Sequence, residues 1–558
     1  MNSGSCIQVQ DIDHLGLVAG IIDEMCLVEQ INQLLGQHQT EKVSAGHVVK
    51  AMILNGLGFV SGALYVFSKF FQGLATEHLI GEAVKPEYLN DDRLGRVLDQ
   101  LYMKGLSQVF MTVAVAAIKK FGVSLKSAHL DSTSFHLHGQ YTYSLREVTF
   151  TNKRQKSLDS TKEIIETVSP QPINITYGYS RDHRPDLKQF ILDLICSGDG
   201  DVPCFLRVAS GNESDKKVFA QILVEFRQQI ELDTLMIADS ALYSAANIAL
   251  MKKLKWLCRV PLTVQAAKQL VSQLSCSEFI KNQMSGYSYV VKKSNYGGVE
   301  QRWLVVESEA RKEADLRQLE KRVATSVARA QKKLKKLCSE EFACHQNALA
   351  AASQLSKQLK YHKLSQIQIL KQPLINDKKQ RQNQPQNLTQ CYKVQAILER
   401  DASVIETETQ CAGRFVLATN VLDEAVLSHD EMIYEYKAQQ SCERGFGFLK
   451  DPLFFTDSVF LKSPERIEAL AMVMGLCLLV YTLAQRQLRA SLSAAKSGIK
   501  NQLGLLTSRR TLRWIFQCFQ AVHLLLINGV KQISNLTNER LWLLEFLPAA
   551  CRRYYLLK

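Results

Sequence analysis

KSAHLDSTSFHLHG (residues 126–139), QFILDLICS (189–197), CFLRVAS (204–210) and TLMIADSALY (234–243) are the runs that decide the fold. The first alternates polar and apolar side chains. The next two are short and β-rich, with the turn residues GDGDVP (198–203) between them, and TLMIAD reads as a buried strand. KVFAQILVEFRQQI (217–230) has helical periodicity, YSAANIALMKKL (243–254) reads as another helix, and KWLCRVP (255–261) as a strand stopped by Pro261. The order is three strands, a helix, a strand, a helix and a strand.

That is the element order of the ribonuclease H-like α/β fold, in which an acid on the first strand and one at the end of the fourth face a common edge. Asp131 sits in the first of these strands and Asp239 closes the fourth. A third acid, Glu443, lies in YKAQQSCERGFGFLK (436–450), read as part of a helix from about 428 to 449. On it Tyr436, Gln439 or Gln440, and Glu443 fall at i, i+3 or i+4, and i+7. Three hard carboxylate ligands brought together are what a pair of Mg²⁺ ions needs for in-line attack on a phosphodiester.

Composition fits a soluble globular chain with a polyanionic partner. The 558 residues suffice for several domains, and 46% hydrophobic with 22% charged content is ordinary. The net charge of +14 points to nucleic acid first and a membrane surface second. The 14 cysteines are scattered without a CxxC pair, as expected of reduced thiols in a cytosolic protein. The start MNSGSCIQVQDID lacks the basic and apolar regions of a signal peptide. ALAMVMGLCLLVYTLA (469–484) is shorter than the roughly 20 residues a membrane span needs, so it reads as a buried core helix.

Five regions follow. Residues 1–120 read as a helical N-terminal region for end binding or dimerisation. The core's first part is 121–262, an inserted subdomain spans 263–410, the core resumes with the Glu443 helix over 411–480, and 481–558 is a basic helical C-terminal region. Gly56 and Gly58 admit a helix-turn-helix, although glycines between apolar helices are commonly a plain connection. In the insertion, GYSYVVKKSNYGGVEQRWLVVES (286–308) reads as a hairpin turning at Gly297-Gly298. Leu316, Leu319, Val323, Val327, Ala330, Leu334 and Leu337 mark a long basic helix over 311–337, with a second helix over about 341–368 packing back on it. KQPLINDKKQRQNQPQNLTQ (371–390) reads as a loop. No acid occurs between Glu468 and Glu539, where eight lysines and arginines include Arg509, Arg510 and Arg513. Interleaved with LRWIFQCFQAVHLLL, this stretch reads as a folded surface for DNA phosphates.

These residues resemble the DDE-type transposases of bacterial insertion sequences, in the group with a tyrosine-arginine-glutamate-lysine signature and a domain inserted before the catalytic Glu. Tyr436, Glu443 and Lys450 stand at the signature spacing, with Gln439 at the Arg position. GYSRDHRPDLKQ (178–189), GNESD (211–215) and ERGFGFLKDP (443–452) also look like one subgroup, and the likeness spans about 120–480. The resemblance implies Asp131, Asp239 and Glu443 as catalytic ligands of two Mg²⁺ ions, replaceable by Mn²⁺. It implies double-stranded DNA partners (the element's terminal inverted repeats and the target), a homodimeric synaptic complex, no membrane, and a cytoplasmic place at the nucleoid. Tyr436, Gln439, Arg444, Lys450, Arg509, Arg510 and Arg513 are the candidate DNA contacts, with a plain ion pair as the alternative for Arg444. A silent DNA-binding derivative and a stand-alone nuclease are the competing readings.

Overall fold

A computed structural model describes residues 7–37, 41–59, 64–139, 141, 171–230, 233–373, 390–451, 461–500 and 504–557. They form two compact units: Met1–Cys258 with Tyr296–Val299 and Glu431–Lys558, and Arg259–Asn295 with Glu300–Asp430.

In the first unit, the apolar runs become five strands: Ser127–Leu137, Lys188–Ser197, Pro203–Ser210, Leu235–Ala238 and Lys255–Val260. Their spatial order is third, second, first, fourth, fifth. The first three are antiparallel neighbours, whereas the fourth runs parallel to the first and to the fifth. The second strand is buried from Gln189 to Ser197, which explains its nearly unbroken apolar sequence. The one charge within the buried part, Asp193, is neutralised by Arg207 of the third strand at 2.7 Å. Helices Asp215–Gln229 and Ala245–Leu250 make the connections on either side of the fourth strand. This mixed sheet is compatible with a ribonuclease H-like core.

Helix Pro464–Ala494 contains the apolar run that imitates a membrane span, and it is buried inside the protein. Gly475 permits this: a Cβ there would stand 2.2 Å from Leu206 of the third strand. Near the start of this helix Glu468 is 7% exposed and accepts a hydrogen bond from the Ile173 N–H at 2.7 Å. Burial pushes its carboxyl from 4.5 up to about 7. The fold therefore favours the protonated acid, so its contribution to stability is full below about 4.5 and is lost as pH rises through 7. Glu468→Gln keeps the acceptor and removes the charge. It is expected to stabilise the protein by about 2 kcal/mol at pH 8 and hardly at all at pH 5, read as the difference in melting between variant and wild type.

The chain's two ends depart from the all-helical expectation. Strand Ile7–Asp11 pairs antiparallel with His523–Ile527, which in turn pairs with Val530–Ser534. The hairpin turns on Asn528-Gly529, both at positive φ, a two-residue turn matched to the twist of antiparallel strands. Region 481–558 is thus mixed rather than helical. Gly56 ends helix Ala45–Gly56, and among the described residues the next α-helix is the four-residue Phe67–Phe70, too short to serve as a recognition helix.

Strands Tyr287–Tyr296 and Val299–Ser308, whose lengths fall mostly in the second unit, form the hairpin, turning on Gly297 and Gly298 at φ 63° and 73°. Trp303 is buried there, its indole N–H donating to Gln301 at 2.9 Å. Helix Glu309–Ser339 covers the long basic run, but its partner is the shorter His345–Gln358. From His362 the chain is a strand, His362–Pro373, paired with Gln390–Arg400. The reading of 341–368 as one helix is corrected accordingly: side chains of the strand alternate at period two and bury Leu364 against Val394. Arg414–Thr419, expected in the resumed core, pairs with Val299–Ser308 and falls in this unit. The loop expected at 371–390 lies almost wholly outside the described residues.

Candidate active site

Strand register decides where two of the three acids stand. Leu130 and Ala238 are paired neighbours at the end of the parallel ladder between the first and fourth strands. Asp131 and Asp239 are the next residue of each, so their backbones lie side by side on one sheet edge, on the order of 5 Å apart. At Asp239 the strand gives way to a short turn, whose Ala241 N–H donates to Asp239 Oδ1 at 2.7 Å. The neighbouring Ser132 N–H holds Asp131 Oδ1 at 2.8 Å.

The third acid arrives on helix Gln440–Leu449. Cys442 seats it by donating to the carbonyls of His129 at 2.9 Å and Leu194 at 3.6 Å, on the first and second strands. Leu194 is the register partner of Asp131. Gly445 keeps this seat close, since a Cβ there would stand 3.2 Å from Leu194 and 3.1 Å from Leu478. Glu443, one residue after Cys442, is exposed.

The helix expected over about 428–449 is in fact two, His429–Ala438 and Gln440–Leu449. At the joint, bonds from Gln439 N–H to Tyr436 and from Cys442 N–H to Gln439, both 3.3 Å, span three residues instead of four. Tyr436 and Glu443 therefore stand on separate helices, and the single-face stripe is corrected.

Electrostatics link the three acids. Burial pushes the Asp131 carboxyl from 3.8 up to about 7. The Ser132 N–H and Arg181 pull it down, and the charges of Asp239 and Glu443 push it up further. Arg181 is a candidate site residue that sequence reasoning passed over. Its Nη1 lies 3.6 Å from Asp131, and its Nη2 donates to Ser132 Oγ at 2.7 Å. The signal was its place in GYSRDHRPDLKQ. Among the described residues no three acidic, histidine or cysteine side chains form a finished metal cage. The donor set still fits a divalent cation: hard oxygens, one of them buried beside two other carboxylates and faced by a single guanidinium.

The other candidates are mostly engaged within the protein. Arg444 forms a bidentate pair with Asp201 at 2.7 Å for both bonds, which is the plain alternative named for it. Lys450 pairs with Asp182 at 2.6 Å and lies 5.5 Å over the Phe135 ring. Arg513 bonds Asp451 at 2.9 Å. Arg510 donates to the Lys500 carbonyl at 2.9 Å and stacks 4.5 Å over Trp514. Arg509 is exposed, and among the described residues its guanidinium has no protein partner.

The model of the family described as "Transposase DDE domain" matches residues 129–482. The chain belongs to that family. A second model, a domain of unknown function (DUF4277), matches residues 7–115 of the transposase. No curated relative matches it. A solved piggyBac transposase synaptic complex with hairpin DNA aligns over 91% of this chain and 79% of that one, at 8% identity and a TM-score of 0.35.

Proposed function

We propose that this transposase binds the ends of its insertion sequence, cuts them by hydrolysis of a phosphodiester, and joins the freed 3′-OH ends to target DNA. The observation that carries the reading is the register of Asp131 beside Asp239, with the Glu443 helix seated on the neighbouring Leu194. Asp131, Asp239 and Glu443 are the groups that would hold two Mg²⁺ ions, or Mn²⁺ in their place. Such ions activate a water and stabilise the leaving 3′ oxygen.

The chain's own residues do the remainder. Arg181 faces the half-buried carboxylate of Asp131 and pulls it towards its ionised form, against the effect of burial. Asp239 is fixed for its task by the turn that follows it. Lys450, held by Asp182, is placed to exchange that acid for a DNA phosphate. Tyr436 and Gln439, at the joint before the Glu443 helix, are candidates for the same strand, and Arg509 for the flanking duplex. Arg444, Arg510 and Arg513 act through their protein contacts, shaping the surface. Two copies acting on two ends would form the synaptic dimer.

The test is a labelled duplex carrying the element's end, incubated with the protein and either Mg²⁺ or EDTA. Scission is expected with Mg²⁺ alone. Scission undiminished in EDTA defeats the reading.

A further inference from the structure

The second unit carries an unusual line of charge. Residues 311–340 hold ten lysines and arginines against four acids, and the helix Glu309–Ser339 presents part of this set to a groove of about 460 Å³. Lys321, Arg322, Arg329 and Lys333 line it from the helix, and Lys360 lines it from the segment after His345–Gln358. All five are exposed. Lys321, Thr325, Arg329 and Lys333 follow one another at steps of four, so they lie along one side of the helix, with the three charges about 12 and 6 Å apart along its axis.

Among the described residues a single acid answers them. Glu408 lies 3.8 Å from Arg322 and 2.7 Å from Lys360. Lys333 reaches only the neutral Gln358, at 3.4 Å. Among the described residues Lys321 and Arg329 have no ion pair. Arg486 and Arg513 of the acid-free C-terminal stretch, in contrast, are matched by Asp199 and Asp451.

The helix is firmly mounted. Leu319 and Val323 pack with Tyr361, and Leu337 packs with Ala348, Ala352 and Leu355. An anchored set of like charges spread along about three turns suits an extended polyanion such as a phosphate backbone. A small anion would instead require donors converging on one point.

We propose that this groove grips duplex DNA by its phosphate backbone, without reading sequence. The proposal rests on the reading of the chain as a DNA-cutting transposase and adds where the inserted unit holds the duplex.

The experiment is fluorescence anisotropy of the full-length chain with a labelled 30-base-pair duplex of arbitrary sequence, in EDTA across a KCl series. In the Lys321→Gln, Arg329→Gln, Lys333→Gln triple variant, binding at 0.1 M KCl is expected to weaken tenfold or more. The slope of log affinity against log salt should flatten by about 2 to 3, at about 0.9 for each lost phosphate contact. A companion with Arg at 321 and Lys at 329 (Lys321→Arg, Arg329→Lys) should bind as wild type, and an unchanged melting curve checks the fold of both.

Wild-type affinity and slope in the triple variant overturn the proposal, and if the wild type also cuts with Mg²⁺, the functional reading stands without it. A wild-type chain that binds no duplex at any salt overturns both. A triple variant that loses only single-stranded RNA, and keeps duplex DNA, assigns the groove to RNA and overturns the proposal for DNA.

Discussion

Asp131→Asn, Asp239→Asn and Glu443→Gln are each expected to lower strand cleavage by about a thousandfold or more while duplex affinity stays within about twofold. A shared cation supplies several kcal/mol of stabilisation to the developing charge, and each 1.36 kcal/mol is a factor of ten. Asp131→Asn should also leave a signature in stability. The native carboxyl is pushed from 3.8 up to about 7, so its contribution is full below about 3.8 and is lost as pH rises through 7. In EDTA at pH 8 the Asn variant should melt above wild type, by roughly 2–3 kcal/mol after allowing for partial hydration. At pH 4 the two should converge, and Mg²⁺ at pH 8 should close the gap by stabilising wild type alone. Near wild-type cleavage in any one variant removes that residue from the site. An Asp131→Asn protein that melts below wild type at pH 8 in EDTA contradicts the buried-acid account.

The second large effect is expected from two glycines. A Cβ on Gly178 would stand 1.9 Å from the Gly211 carbonyl oxygen, and one on Gly211 would stand 2.0 Å from that of Gln189. Both clashes are with backbone, so neither can be relieved by turning a side chain. Gln189 ties the three segments, donating from Nε2 to Gly211 at 2.7 Å and to Tyr179 at 3.2 Å. This packing fixes the approach of Arg181, three residues after Gly178, to Asp131. Gly178→Ala and Gly211→Ala are each expected to cost about 2–4 kcal/mol and to lower cleavage at least tenfold at temperatures where the protein remains folded. A thermal melt with a cleavage assay at 20 °C checks both. Unchanged melting would show that the two segments separate easily.

The same glycines show what was legible. GYSRD and GNESD stand out in the sequence, but their reason is a contact between segments more than thirty residues apart. The strands around Asp131 and Asp239 could be read locally, because a buried strand writes its apolar run into the chain and an acid within it or at its end interrupts the run. The joint at Gln439 has no proline or glycine to mark it. The second insertion helix was read too long because Leu364 and Ile367 stand three apart, which is a helical step, and the strand's partner Gln390–Arg400 lies beyond a long intervening stretch. Asn528-Gly529 was a strong local hairpin signal, set within a stretch whose lack of acids drew the reading toward charge. The pairing of Arg444 with Asp201 and of Arg513 with Asp451 joins residues 243 and 62 positions apart, a distance at which sequence alone names no partner.

Strand Ile7–Asp11 has its hydrogen-bonding partner at His523–Ile527, which gives this protein a history during synthesis. This strand leaves the ribosome some five hundred residues ahead of its partner and waits while they are added. At about 5–20 residues per second that is roughly half a minute to two minutes. For that interval Ile7 and Val9, still 56% and 57% exposed in the finished fold, border an unpaired edge open to other chains. This sheet closes only after the intervening residues have been made, so its completion reports that translation has passed the hairpin of His523–Ile527 and Val530–Ser534.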